Sequence, residues 1–96
     1  MTKLHTDQIE QLFQAICCIE NPEECFDFFE DLCTVKEIQD MSQRFETAIL
    51  LRKGKNYSEI ADSLGVSSAT IGRVNKCLNY GTGGYEKVIA RLEEQE

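Results

Sequence analysis

The chain has 96 residues, enough for one domain with a modest core, and so short a chain gains from burying apolar surface against a second copy. Its net charge of −7 counts against a protein that coats DNA through bulk charge, and its five cysteines, an odd number without CxxC spacing, count against a disulfide scaffold. No apolar run reaches membrane-spanning length and no signal peptide is recognisable, so a soluble, cytoplasmic protein with reduced thiols is expected.

A first helix is predicted from about Thr6 to Ile19, where Ile9, Leu12, Phe13, Ile16 and Ile19 recur at helical spacing. Pro22 stands between Asn21 and Glu23-Glu24. A cap, a proline at the first position and acids in the first turn open a second helix, from about Pro22 to Leu32. It carries Cys25, Phe26, Phe28, Phe29 and Leu32 on more than one stripe. A helix apolar on several sides needs cover on several sides, and a partner subunit is the expected cover. Thr34-Val35-Lys36-Glu37 reads as a capping box that opens a third helix. This helix runs through Ile38, Met41, Phe45, Ala48, Ile49 and Leu51 to Lys53, a strut of about 28 Å, and Gly54 ends it.

Residues 56–78, NYSEIADSLGVSSATIGRVNKCL, then give the most informative pattern in the chain. A short helix from Asn56 to Leu64 meets a glycine turn, Gly65-Val66-Ser67, and a second short helix from Ser68 to Leu78 follows at once. Two helices joined by a tight glycine-containing turn form a helix-turn-helix, whose second helix enters the DNA major groove. Asn56 and Glu59 can cap reciprocally, Val66 can plug the gap between the helices, and Ser67 can cap the second. Ile71, Val74 and Leu78 form an inward stripe, leaving Ser68, Ala69, Thr70 and Arg73 outward. Small polar side chains let a helix approach base edges, and Thr70 can bond a base or a phosphate. The bland alternative is a helical hairpin that binds nothing.

Asn79 to Gly84 form a loop with three glycines, and Tyr85, Val88, Ile89 and Leu92 place a last amphipathic helix over residues 85–95. The expected fold is all-α: six helices and no sheet in a single domain over residues 1–96. Residues up to about 53 form its dimerisation core and residues 56–78 its helix-turn-helix.

Charge is unevenly distributed. Residues 1–40 carry −8, residues 41–79 carry +3 and residues 80–96 carry −2. Local field matters more for phosphate affinity than total charge, so weak, strongly salt-sensitive binding to random DNA is expected. No Ser/His/Asp set, phosphate-cradling loop or paired-carboxylate site is present, so no enzyme and no cofactor is expected. The cysteines read as small packing hydrophobes; a metal or redox site on Cys17, Cys18, Cys25 and Cys33 is the less favoured reading, and no metal site is assigned. His5 reads as solvent-exposed.

Thr34 to Arg44 (TVKEIQDMSQR), the Gly54 turn and Ser63 to Arg73 (SLGVSSATIGR) resemble the tryptophan repressor superfamily, and more narrowly its Trp-repressor-like YerC/YecD proteins, over most of the chain from about Ile9 to Leu92. The resemblance implies six helices per subunit and an intertwined homodimer. The N-terminal helices of two chains share one core, and two helix-turn-helix units project from it toward DNA with two-fold-related half-sites. In the tryptophan repressor a corepressor lies between the core and the reading helix. Arg44 and Arg73 match the two arginines of that site and Thr34 matches a lining residue. Val74 stands where the family has glycine, Cys77 where a serine bonds the ligand amine, and Asp31 where a wall residue is apolar. These changes remove room, a polar contact and apolar lining together, and they point away from tryptophan as the ligand.

Two readings of the arginines follow. Either they hold another small anion, or Arg44 pairs with an acid such as Asp40 or Asp31 while Arg73 contacts phosphate; the second is preferred. Where the family has basic groups on its first motif helix, this chain has Ser58 and Ala61. The expected DNA-contacting set is therefore Lys53, Lys55, Ser58, Ser67, Ser68, Ala69, Thr70, Arg73 and Lys76, and the possible ligand pocket is Thr34, Arg44, Arg73, Val74 and Cys77. The rival reading is a helical protein-interaction module that kept the fold without DNA binding.

Overall fold

The computed structural model describes residues 5–95; the remaining residues of the expected 1–96 domain lie outside that range. Six helices follow in chain order: α1 (Asp7–Ile16), α2 (Pro22–Leu32), α3 (Val35–Arg52), α4 (Tyr57–Leu64), α5 (Ser68–Tyr80) and α6 (Gly84–Glu94). There is no strand among the described residues. The chain divides into two compact units, Met1–Val35 and Lys36–Glu96.

In the N-terminal unit the Thr6 side chain caps α1 by accepting from the Ile9 N–H. The helix ends at Ile16, three residues before the expected Ile19. Asn21 must be extended ahead of Pro22, with φ −153° and ψ 165°, so the chain leaves the helical region early. Cys18 and Ile19 instead donate to carbonyls three residues back, closing tight turns. Asn21 then accepts from the Glu24 N–H at 2.9 Å, and Glu24 returns the favour one residue upstream, accepting from the Glu20 N–H at 3.0 Å. The second helix matches its expected bounds, and the Phe28 and Phe29 rings meet edge to face at 5.6 Å. No residue of α1 or α2 is fully buried in the single chain, and Phe26 and Phe13 are 71% and 54% exposed.

The C-terminal unit buries two apolar clusters. Ala48, Val74 and Ile89 meet in the first, one each from α3, α5 and α6, with Phe45, Ile49, Leu51 and Tyr85 around them. Ile60, Val66 and Ile71 form the second, with Leu50, Leu51, Ala61 and Leu64 around them. The one buried polar side chain among the described residues, Thr47, is satisfied because its hydroxyl donates to the Gln43 carbonyl at 2.7 Å. At the end of α3, Gly54 takes φ +87°, and Gly54 and Lys55 donate to Leu51 and Leu50, a left-handed C-terminal cap. Helix α5 runs on to Tyr80, two residues past the expected Leu78. The Asn79 amide donates to the Asn75 carbonyl one turn back, and the glycine loop begins only at Gly81. A Cβ on Gly81 would collide with the Cys77 carbonyl, so the chain can leave the helix there only as glycine.

Arg52, the last residue of α3, is bound to the last helix. Its guanidinium takes Glu86 Oε1 through Nε at 2.9 Å and Nη2 at 2.7 Å, and Glu93 Oε1 through Nη1 at 2.9 Å. The hydrogen bond from Arg52 holds the Glu86 carboxyl below its ordinary range. The paired carboxylates, Glu86 first, hold the guanidinium above its ordinary value. Glu86 and Glu93 lie two turns apart on one face of α6, so the clamp spans most of that helix.

Candidate nucleic-acid interface

The helix-turn-helix is built by local bonds that its sequence specifies. The Asn56 side chain accepts from the Glu59 N–H at 2.9 Å and the Glu59 carboxylate accepts from the Asn56 N–H at 3.0 Å, a complete capping box. Gly65 ends α4 in the left-handed region at φ +70°, a conformation that costs a side-chain-bearing residue about 1–2 kcal/mol. Val66 is buried between Ile60 and Ile71, and it fixes how closely α4 and α5 approach. Gly72, on α5, faces the Tyr57 hydroxyl: a Cβ there would stand 3.8 Å from that oxygen.

At the start of α5 the Ser67 hydroxyl does two things. It accepts from the Thr70 N–H at 3.1 Å and donates to the Thr70 hydroxyl oxygen at 3.1 Å. With the Thr70 oxygen accepting, its own O–H can donate to another group. A donor at that position suits a phosphate oxygen or the acceptor edge of a base. Thr70 is half-buried, whereas Lys53, Lys55, Ser58, Ser67, Ser68, Ala69, Arg73 and Lys76 are exposed. Ser68, Ala69, Arg73 and Lys76 fall on the solvent side of α5 because Ile71 and Val74 hold the other side in the core. Of the inward stripe expected for α5, Ile71 and Val74 are buried and Leu78 is half-buried.

Four of the five residues assigned to a possible ligand pocket line one cleft. Arg44, Arg73, Val74 and Cys77 surround about 350 Å³ together with Tyr85, while Thr34 belongs to the N-terminal unit. Tyr85 was not legible as a pocket residue, since only the turn made by the glycine loop brings α6 back to α5. Val74 is 2% exposed and wedged against Ala48 and Ile89, so it cannot swing aside to enlarge the cleft. Arg44 also reaches a second cleft of about 300 Å³, walled by Asp40, Gln43, the Gly65-Val66-Ser67 turn and Thr70. Asp40 accepts from Lys36 at 3.4 Å, and among the described residues neither Arg44 nor Arg73 makes an ion pair. Of the acids named for Arg44, Asp40 pairs instead with Lys36, one turn earlier on the same helix face.

Cys17, Cys18 and Cys77 are exposed, and only Cys25 and Cys33 are partly covered within one chain. Cys17 and Cys18 lie where α1 stops short of its expected end, and Cys77 faces the cleft beside Arg73. Among the described residues no group of histidine, cysteine and acidic side chains is arranged to hold a metal ion.

Six helices, with two of them joined by a left-handed glycine turn and the second presenting small polar and basic side chains, define an all-α helix-turn-helix protein. The sequence profile of the Trp repressor protein family matches residues 7–93. The chain therefore belongs to the Trp repressor family, whose members are DNA-binding regulators and not enzymes. It is 47% identical over 94 residues to YerC of Bacillus subtilis, itself uncharacterised, covering 98% of this chain and 90% of that one. A solved structure of a TrpR like protein from Eubacterium eligens is 53% identical, with TM-score 0.91, over 95% of this chain and 94% of that one. A further solved structure, from Staphylococcus aureus, is 43% identical with TM-score 0.90, over 95% of this chain and 91% of that one. No helix among the described residues is long and apolar enough to cross a membrane.

Proposed function

We propose that this protein is a sequence-specific DNA-binding transcriptional regulator of the cytoplasm, acting as an intertwined homodimer and not gated by tryptophan. The observation that carries the reading is the α5 surface. Its start is capped by Ser67, its apolar side is locked by Ile71 and Val74, and Ser68, Ala69, Thr70 and Arg73 are held ready for a groove. Lys53, Lys55 and Lys76 serve as phosphate partners that fix position without reading sequence. Residues 1–53 serve as the dimerisation core: the apolar faces of α1 and α2 find their cover on a second copy. Two readers related by a two-fold axis then address half-sites about one helical turn apart.

Selection from a random-sequence DNA pool, followed by gel shift, tests the reading. Recovery of a two-fold-related sequence is expected. Recovery of no preferred sequence would leave the protein-interaction module standing instead. Titration with tryptophan is expected to give no saturable heat.

A second reading has an observation of its own. Arg44 and Arg73, both exposed and without an ion pair, line one cleft with Tyr85 and Cys77. Two guanidinium groups on one cleft can hold a small anion other than tryptophan. A thermal-shift panel of small carboxylates and phosphates tests it, and a flat response removes it.

A further inference from the structure

The wall behind the reading helix is thin. In the first apolar cluster α6 contributes one buried side chain, Ile89, and the half-buried Tyr85, while its Val88 and Leu92 stay exposed. The link from α5 does not orient α6 either. It contains Gly81 and Gly83, the latter at φ +88°, and α6 begins with no side-chain cap. What else ties α6 to α3 is Arg52, whose side chain is 24% exposed and whose guanidinium grips one carboxylate in the first turn of α6 and another in the last. An arginine fork held at three nitrogens fixes angle as well as distance, which a lysine on the same stem cannot do. The face of α6 so fixed carries Ile89, which shares an apolar cluster with Val74 of the reading helix, next to Arg73.

We infer that Arg52 is a positioning residue for DNA reading: clamped by Glu86 and Glu93, it sets α6 against α3 and thereby sets the angle at which α5 presents Ser68, Ala69, Thr70 and Arg73. It rests on the DNA-reading function proposed above. Its own contribution is to sequence discrimination and not to phosphate affinity. Arg52 donates to carboxylates of its own chain, so it adds no phosphate contact, and Lys53 and Lys55 beside it remain available.

The test uses the full-length protein and the sequence it selects from a random pool. If the wild-type chain selects none, the proposed function fails before any variant is made, and that failure is distinct from failure of the clamp. Arg52→Met keeps the apolar stem and removes the fork. Its preference for the selected sequence over random DNA is expected to fall by about tenfold, while affinity for random DNA and its salt slope stay at wild type. Arg52→Lys is expected to lie between, and Arg52→Glu with Glu86→Arg, which restores one ion pair, is expected to recover part of the preference. Should Arg52→Met not fold, Glu86→Ala and Glu93→Ala each remove one arm and carry the same expectation in smaller measure. Preference retained within about twofold in every variant overturns the inference, and so does parallel loss of both affinities, which would make the clamp a general stabiliser or a phosphate contact.

Discussion

The two units of this chain solve the problem of small size in opposite ways. Residues 36–95 close two apolar clusters of their own and cap each short helix with a side chain or a left-handed glycine, α6 excepted. The N-terminal unit makes two well-formed helices but buries none of their side chains fully. Local sequence signals are equally clear in both. Local signals therefore decide where a helix starts, whereas burial decides whether it stands alone, and the N-terminal helices have strong starts with an open apolar face.

That contrast can be broken most severely at Phe26. With a second copy covering α1 and α2, Phe26→Asp places a charge in the shared core and is expected to cost at least about 4 kcal/mol, enough to abolish the folded dimer at micromolar concentration in sedimentation runs. The wild-type denaturation midpoint is expected to rise with protein concentration, and a midpoint constant over a wide dilution series would remove the dimer from the account. Next comes Ile71, fully buried in the second cluster, where Ile71→Ala is expected to cost about 3 kcal/mol in chemical denaturation. Gly65→Ala forces a Cβ into φ +70° and is expected to cost about 1 kcal/mol, although the space around it is open.

The smallest effects are electrostatic. Glu86 is held below its ordinary range by Arg52, so its contribution is complete above the carboxylate range and lost as pH falls through its lowered value. Amides of α6 are thus expected to lose protection from exchange in acid ahead of those of α4, and simultaneous loss would show that the clamp does not hold α6 separately. Lys55→Ala is expected to lower the salt slope of DNA binding by about 1 for every sequence alike, whereas Thr70→Ala is expected to change which sequence is preferred.

Much of this architecture was legible from residues alone, because it is written in short-range chemistry. Asn56-Glu59, Gly65, Ser67 and Asn21-Pro22 each fix a helix end by a bond reaching at most four residues. Two helix ends were misjudged by a few residues, and the long-range contacts were missed. The first helix stops early because Pro22 constrains Asn21, and α5 overruns because Asn79 bonds back one turn. The Arg52 clamp was not legible, since its partners lie 34 and 41 residues away, beyond any periodicity. Tyr85 escaped notice in the cleft for the same reason, while Arg44, Arg73, Val74 and Cys77 were assembled from resemblance and not from spacing.

Leu51 touches both apolar clusters of the C-terminal unit. A residue shared in this way couples what would otherwise be two separate folding units, so α4 cannot loosen without disturbing the wall behind α5. The motif then meets DNA already ordered, and little chain entropy is lost on association. Calorimetry of the specific complex should accordingly show a heat-capacity change matched to the contact surface alone, without the excess that marks folding upon binding.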